Sequence, residues 1–315
     1  MWTPDKESTL YAVMLSELPQ VGERLARAII ECSEKRGHGL ASFFRLPAPV
    51  LQRDYPLPEA ARRCLEQHGE AHRRRCEWLA GQLVAHGGWA CTLLDAEYPN
   101  RLRWRASPPP PVFFAAGEAR CQDFPVLAVL HSRTPTADTM PAISAVVQRA
   151  AEEGFTLVTS TGKVAYRLVG MASRATGAPR IVVLDRGLFS ALGPDLSRDP
   201  CVYAPSPTRE FAKQPQMVCS AFRLLDHALP RNGARRDALV AAFADLILVL
   251  HARPGGEIER VCLQALDRGQ PVLCWKGENP ALVAAGAIPV SESDLGSLAH
   301  FLALSGNTGV DSGQR

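Results

Sequence analysis

The sequence predicts an α/β protein, a doubly wound and mostly parallel sheet preceded by a small helical domain. Three observations predict it. From residue 125 onward, short apolar runs alternate with segments of helical period. Residues 231–275 read as helix, strand, turn, helix, strand, which is a βαβ unit. Residues 8–80 carry only helical patterns, and the pair Gly87-Gly88 closes them. The expected organisation is therefore a helical domain over 1–87, an α/β domain over 88–305 and a disordered polar tail over 306–315.

In the helical part, Ser8 or Thr9 can cap a helix that runs to Leu18. Leu18-Pro19-Gln20-Val21-Gly22 followed by Glu23-Arg24-Leu25-Ala26-Arg27-Ala28-Ile29-Ile30 has the form of a helix-hairpin-helix. The amides around such a glycine can hold a DNA phosphate, and the same turn can serve as a plain αα-corner; a lone hairpin favours the corner. Helices are expected near 40–44, over 58–69 and over 71–84. The last carries Arg73, Arg74 and Arg75, either a solvated charged face or a secondary basic patch for a phosphate backbone.

Residues 89–117 read as a connector, because four prolines at 108–111 favour an extended path; Val112-Phe113-Phe114 enters the sheet and Gly117 ends that strand. Strands then follow at 126–130, 156–159 and 181–184, with helices over 140–153 and from 164 to Ala175. Val202-Tyr203 is a short fourth strand, and the proline-bearing 190–220 is otherwise irregular. Asp245-Leu246-Ile247-Leu248-Val249-Leu250 is apolar after its first residue and suits a strand covered on both faces. The helix after it has Glu257 and Glu259 in its first turn and an apolar face of Val261, Cys262, Ala265 and Leu266. Residues 271–275 form the next strand, and 280–285 and 293–304 close the chain as helices.

The turns that follow these strands collect at one edge of a parallel sheet: His131-Ser132-Arg133, Ser160-Thr161-Gly162-Lys163, Asp185-Arg186-Gly187 and Pro254-Gly255-Gly256. Hydroxyls, cations and glycine amides converge there, a set suited to an anionic ligand such as a nucleotide or a nucleic-acid phosphate. For Gly255-Gly256 alone, a plain βα turn fits equally well.

The charge of +3 is too small to announce nucleic acid by itself. Nine cysteines, with no Cys-x-x-Cys pair, point to reduced buried thiols in place of disulfides or a metal site. No stretch is long and apolar enough to span a bilayer, and the start MWTPDKEST has no apolar signal region; a cytoplasmic protein without membrane contact is expected.

With these landmarks in order, the chain resembles the DprA/Smf family of DNA-processing proteins. Glu97-Tyr98-Pro99, Leu102 and Pro110-Pro111-Val112-Phe113-Phe114 with Gly117 are similar to the family's opening segment. Val129-Leu130-His131-Ser132-Arg133 resembles its Val-Gly-Ser-Arg turn, with His131 in place of glycine; residues 154–160 resemble the strand before its Ser-Gly turn. Residues 181–188 resemble its Ile-Ala-Val-Leu strand and Gly-Leu, Arg236 keeps one arginine of its Arg-Asn-Arg, and Gly286-Ala287 stands near its closing Gly-Ala. The departures are Val164-Ala165-Tyr166 and Gly170, where the family has Gly-Ile-Asp and a histidine; the C-terminal winged helix of many members is not expected here, because the α/β pattern gives way to a polar tail. The resemblance implies a Rossmann-like fold of the LOG/SLOG superfamily with a helix-hairpin-helix (SAM-like) domain, single-stranded DNA as ligand, homodimerisation and delivery of DNA to a RecA-type recombinase in transformation or recombination. The DNA-contacting residues expected at the carboxyl edge are Ser132, Arg133, Ser160, Gly162, Lys163, Arg236, Gly255 and Gly256, with Tyr166 either a surface for base stacking or the filling of a retired pocket.

Pro254-Gly255-Gly256 is also similar to the signature of LOG-type phosphoribohydrolases, which leaves a nucleotide sensor or nucleotide-processing enzyme as the alternative. Cys262 holds the place of that signature's glutamate, so the expectation is no catalysis, with neither cofactor nor metal. Ser160 with Lys163 could be written as nucleophile and base, but a phosphate-binding turn has the same composition. His131 could be a base at a strand end, where a packing histidine is the commoner case.

Overall fold

In the computed structural model, strands and helices alternate among the described residues from Val126 to Gly306, as the apolar runs require. The structure describes residues 6–132, 139–201 and 215–306, with side chains up to residue 303. The chain divides into two compact units. The first takes in 1–117, 186–198 and 218–228, the second 118–185, 199–217 and 229–315.

The first unit opens with helices α1 (Lys6–Ser16), α2 (Glu23–Lys35), α3 (Leu40–Phe43), α4 (Ala48–Asp54) and α5 (Glu59–Ala85). α4, which begins after Pro47, was not predicted. The two helices expected over 58–69 and 71–84 are the two segments of α5, which meet at a kink where His68 leaves helical geometry (φ −130°, ψ 16°). The hairpin turn leaves α1 with Gln20 in the left-handed region (φ 59°) and enters α2 at Gly22. Its carbonyls are engaged by an arginine: Arg223 Nη2 donates to Val21 O at 2.9 Å and to Leu18 O at 3.3 Å. Leu18 and Val21 are buried, so the turn packs as an αα-corner.

The expected connector is ordered structure. β1 (Gly88–Thr92) pairs antiparallel with β2 (Val112–Gly117), and α6 (Asn100–Arg105) lies between them in sequence. Trp89 packs on Phe113 with centroids 5.7 Å apart, and Tyr98 OH donates to Pro110 O at 2.8 Å. The prolines at 108–111 predict an irregular path, but Trp89-Ala90-Cys91 is a run buried throughout, and long-range pairing with β2 fixes it as a strand. β1 is tied back to α1, where the Thr9 hydroxyl exchanges hydrogen bonds with the Ala90 backbone at 3.3 Å. The boundary expected after Gly87 thus falls inside the first unit. The helix α9 (Leu188–Leu192) also belongs to this unit.

The second unit is the doubly wound sheet. Its strands are β3 (Val126–His131), β4 (Thr156–Ser160), β5 (Arg180–Val183), β7 (Leu246–His251), β8 (Val272–Trp275) and β9 (Ile288–Val290). They run parallel in the order β5-β4-β3-β7-β8-β9. The strand β6 (Gln216–Ser220) begins in this unit and ends in the other. It lies in a stretch read as irregular, while the short strand expected at Val202-Tyr203 falls outside the described residues. β9 was also missed; Pro289 is tolerated there because an edge strand needs fewer ladder donors.

The helices α7 (Thr139–Glu152), α8 (Val164–Thr176), α10 (Asn232–Phe243), α11 (Glu257–Asp267), α12 (Pro280–Ala284) and α13 (Leu298–Gly306) complete the unit. α13 is preceded by a separate 3₁₀ turn over Glu292–Asp294 with a capping box at Ser291, so the single helix expected over 293–304 is broken. Alternate strand residues Leu127, Val129, Leu246, Leu248 and Leu250 join Ile143, Val146 and Val169 in one core. α10 packs on β3, β4 and β5, and α11 on β8, which makes the apolar runs buried on both faces. Asp245 pins the central pair: its backbone N donates to Val126 O at 2.7 Å, and its carboxylate accepts from Val126 N at 2.9 Å.

Candidate nucleic-acid interface

Chain order reverses between β3 and β7, since β4 and β5 extend the sheet on one side and β8 and β9 on the other. In an open parallel sheet the crevice at such a reversal, beyond the carboxyl ends, is where ligands bind. The loops there are His131-Ser132 and His251-Ala252-Arg253. They are tied together, because Ser132 N donates to His251 O at 2.8 Å and Arg253 N donates to Ser132 Oγ at 2.8 Å. Ser132 is thus a loop clasp. Arg253 is exposed at this edge, and the sequence reading missed it because Pro254-Gly255-Gly256 drew attention to the glycines. Arg133 lies outside the described residues.

The neighbouring turn from β4 to α8 carries Ser160, Gly162, Lys163 and Tyr166, and the structure brings them to Arg236 on α10. The centre of this group is an acid that the sequence reading did not single out. Asp237 accepts from Arg236 Nε at 2.8 Å, from Tyr166 OH at 2.8 Å and from Lys163 Nζ at 2.7 Å. Arg236 also donates to Ser160 Oγ at 3.3 Å and lies 3.8 Å from Asp185 Oδ2. Two cations are matched by two carboxylates, so the cluster carries no net charge. Burial of these ions is tolerated because each is paired and hydrogen-bonded.

This arrangement changes the role of three expected contacts. The Arg236 side chain is 4% exposed and spends its donors inside the cluster, so it is a buried strut and not a phosphate contact at the surface. Tyr166 is 1% exposed, with the Arg236 guanidinium 5.1 Å from its ring centroid; its face is covered by protein and offers no platform to a base. Burial pushes its phenol far above the usual range, and the Asp237 charge adds to the effect. Gly162 serves close approach, because a β-carbon there would lie 2.1 Å from Arg236 Nη1. Lys163 keeps part of its ammonium in solvent, with its side chain 24% exposed. Beside it the Thr161 hydroxyl is buried with no hydrogen-bond partner among the described residues.

The glycine amides are also engaged. Gly255 N donates to Glu259 Oε2 at 2.6 Å, and Gly256 N donates to Arg253 O at 2.9 Å. The Glu259 carboxylate therefore sits where an anion was expected at the start of α11, a self-capping arrangement that the spacing from Gly256 to Glu259 allows. Cys262 is buried on α11 and burial raises its thiol, so the position of the hydrolase glutamate holds an inert group.

Arg73, Arg74 and Arg75 lie on α5 in the first unit, and each has an acid. Arg73 meets Glu77 at 2.8 Å, Arg74 meets Glu70 at 3.0 Å and Arg75 meets Glu17 at 3.3 Å. The run is a charge-balanced solvated face, not a bare basic patch. Among the described residues no group of three or more metal-ligating side chains occurs, and no helix is long and apolar enough to cross a membrane.

Comparison with known proteins agrees with this architecture. DNA processing protein A (DprA) from Streptococcus pneumoniae has a TM-score of 0.66 over 94% of this chain and 98% of its own, at 18% identity. DNA processing protein A from Helicobacter pylori, whose unique single-stranded DNA binding mode has been described, has a TM-score of 0.50 over 70% of this chain and 96% of its own, at 14% identity. At these identities the likeness establishes the fold. No curated protein matches the sequence significantly. The sequence model for DNA recombination-mediator protein A matches residues 89–289, well over half of the chain. The chain belongs to the DNA recombination-mediator protein A family.

Proposed function

We propose that this protein binds single-stranded DNA at the carboxyl edge of its second unit and performs no chemistry on it. The observation that carries this reading is the crevice between β3 and β7, with Arg253 exposed beside it and, at the next strand end, Lys163 part-exposed next to the unpartnered Thr161 hydroxyl. These groups suit a flexible phosphate backbone, while the buried Arg236–Asp237–Tyr166 cluster holds the turn that presents them. Single-stranded DNA is also the ligand described for the H. pylori protein of similar fold. The absence of an acid at Cys262 supports binding without hydrolysis. In this reading the protein is a homodimer that protects incoming strands in the cytoplasm and loads a RecA-type recombinase on them, in transformation or recombination.

The test is competition between a labelled oligonucleotide, its duplex and mononucleotides at two salt concentrations. The expected result is preference for the single strand, with affinity falling as salt rises. Tighter binding of a mononucleotide, insensitive to salt, would replace this reading with that of a small-nucleotide sensor.

A further inference from the structure

The carboxyl edge carries a further cation beyond Arg253. Ile181, Val158, Ala128, Ile247 and Val272 form one row across β5, β4, β3, β7 and β8. The five parallel strands leave that row in the same direction, so residues a few positions further on come out along one edge. Lys163 does so after β4, Arg253 after β7 and Lys276 after β8. Lys276 directly follows the last residue of β8, and its backbone N donates to Val290 O on β9 at 2.8 Å, which ties it to the sheet.

Arg253 and Lys276 are exposed, and neither forms an ion pair among the described residues. The acids near them are engaged. The Glu278 carboxylate accepts from His251 Nδ1 at 2.8 Å, Glu257 pairs with Arg260, and Glu259 accepts from Gly255 N. Asp294, whose charge Lys276 also feels, accepts from Ser291 N at 2.8 Å. On the other side the row ends in an acid, because Asp185 follows β5. The cations therefore run from β4 towards β8. Neighbouring strands lie about 4.8 Å apart, so the three steps from β4 to β8 span about 14 Å. A stacked single strand rises about 3.4 Å per nucleotide and covers that span with about four nucleotides.

We infer that Lys276 is a phosphate contact, and that single-stranded DNA lies across the strand ends from Lys163 past Arg253 to Lys276. This rests on the single-stranded DNA reading above and gives that site a direction and a length. A mononucleotide carries its phosphates at one point and cannot engage both ends of the row.

The experiment uses the full chain and labelled oligothymidylates of two and eight nucleotides, titrated at several salt concentrations. Wild type is expected to hold the longer strand with a steeper salt slope, since the shorter one cannot reach from Lys163 to Lys276. Lys276→Ala is expected to weaken the longer strand about threefold to tenfold at low salt and to reduce its slope by about 0.7, the share of one phosphate. Lys276→Arg keeps the charge and should stay within about twofold of wild type. Lys35→Ala, at an exposed position on α2 in the first unit, should change nothing and controls for the loss of one positive charge. Thermal melts establish that the variants fold. If wild type binds, and Lys276→Ala keeps its affinity and slope, the inference falls and the single-stranded DNA reading stands. Equal losses in Lys276→Ala and Lys35→Ala, or equal slopes for the two lengths in wild type, overturn it as well. Failure of wild type to bind either strand overturns both readings.

Discussion

Tyr166 donates its phenolic hydrogen to Asp237 Oδ1 at 2.8 Å, across 71 positions of the chain. The residue expected to stack on bases is instead one of three donors to a buried carboxylate. Removing that carboxylate leaves Arg236 and Lys163 without their main partner. Asp237→Ala is expected to cost about 3–5 kcal/mol of stability, the range for breaking a buried ion pair. Tyr166→Phe keeps the ring and loses only the hydrogen bond, for about 1.5–3 kcal/mol. Urea unfolding measures both. Near-wild-type midpoints in the two variants would show that the cluster is not a structural support.

Lys163 and Arg253 are the part-exposed and exposed cations at the carboxyl edge. Alanine at either is expected to weaken oligonucleotide binding equally for all base sequences and to reduce the salt slope by about one phosphate contact. Titrations at several salt concentrations decide it. Slopes unchanged in both variants would move the strand away from this edge.

His72 gives the first unit a pH dependence. It is buried on α5 and donates from Nε2 to Met14 O at 3.1 Å, with Cys76 Sγ 3.7 Å away. Burial holds its ring below the usual histidine range, the Met14 carbonyl opposes this, and Arg75 reinforces it. The unfolded chain therefore takes up a proton first as pH falls. The neutral ring's contribution is intact above the unfolded value of about 6.5 and is lost as pH drops below it. Glu17, raised by burial, acts in the opposite sense. The difference between wild type and His72→Gln isolates the histidine, and urea midpoints at about pH 7.5 and about pH 5.5 should converge as pH falls. A constant difference would mean that His72 does not titrate in this range.

β1 and β2 are buried with the helices, so a fragment of residues 1–87 leaves α1 without the strand that Thr9 engages. That fragment is expected to lack a cooperative thermal transition. In the native full chain, chymotrypsin should spare Trp89, Phe113 and Phe114, each at most 3% exposed. A cooperative melt of 1–87, or early cleavage at these residues, would place a domain boundary after Gly87.

Residue pattern is enough to place most of the parallel sheet, because β3, β4, β5, β7 and β8 are each a local apolar run bounded by its own turn. It also places the strand-end turns together, since the carboxyl ends of parallel strands share one edge whatever the side chains do. Strands held by distant partners escaped it. β1 pairs with β2 across an intervening helix and a proline run, and β9 is three residues with a proline in the middle. The tertiary structure alone decided what the cations face. Arg236 lies 76 positions from Ser160, and Asp237, the carboxylate that pairs with both Arg236 and Lys163, is its neighbour in sequence and locally only part of a helix. Whether a charged side chain meets solvent or a buried acid depends on which helix covers that strand end. Local periodicity carries no record of that contact, because its energy comes from pairing over long range in a site closed to water.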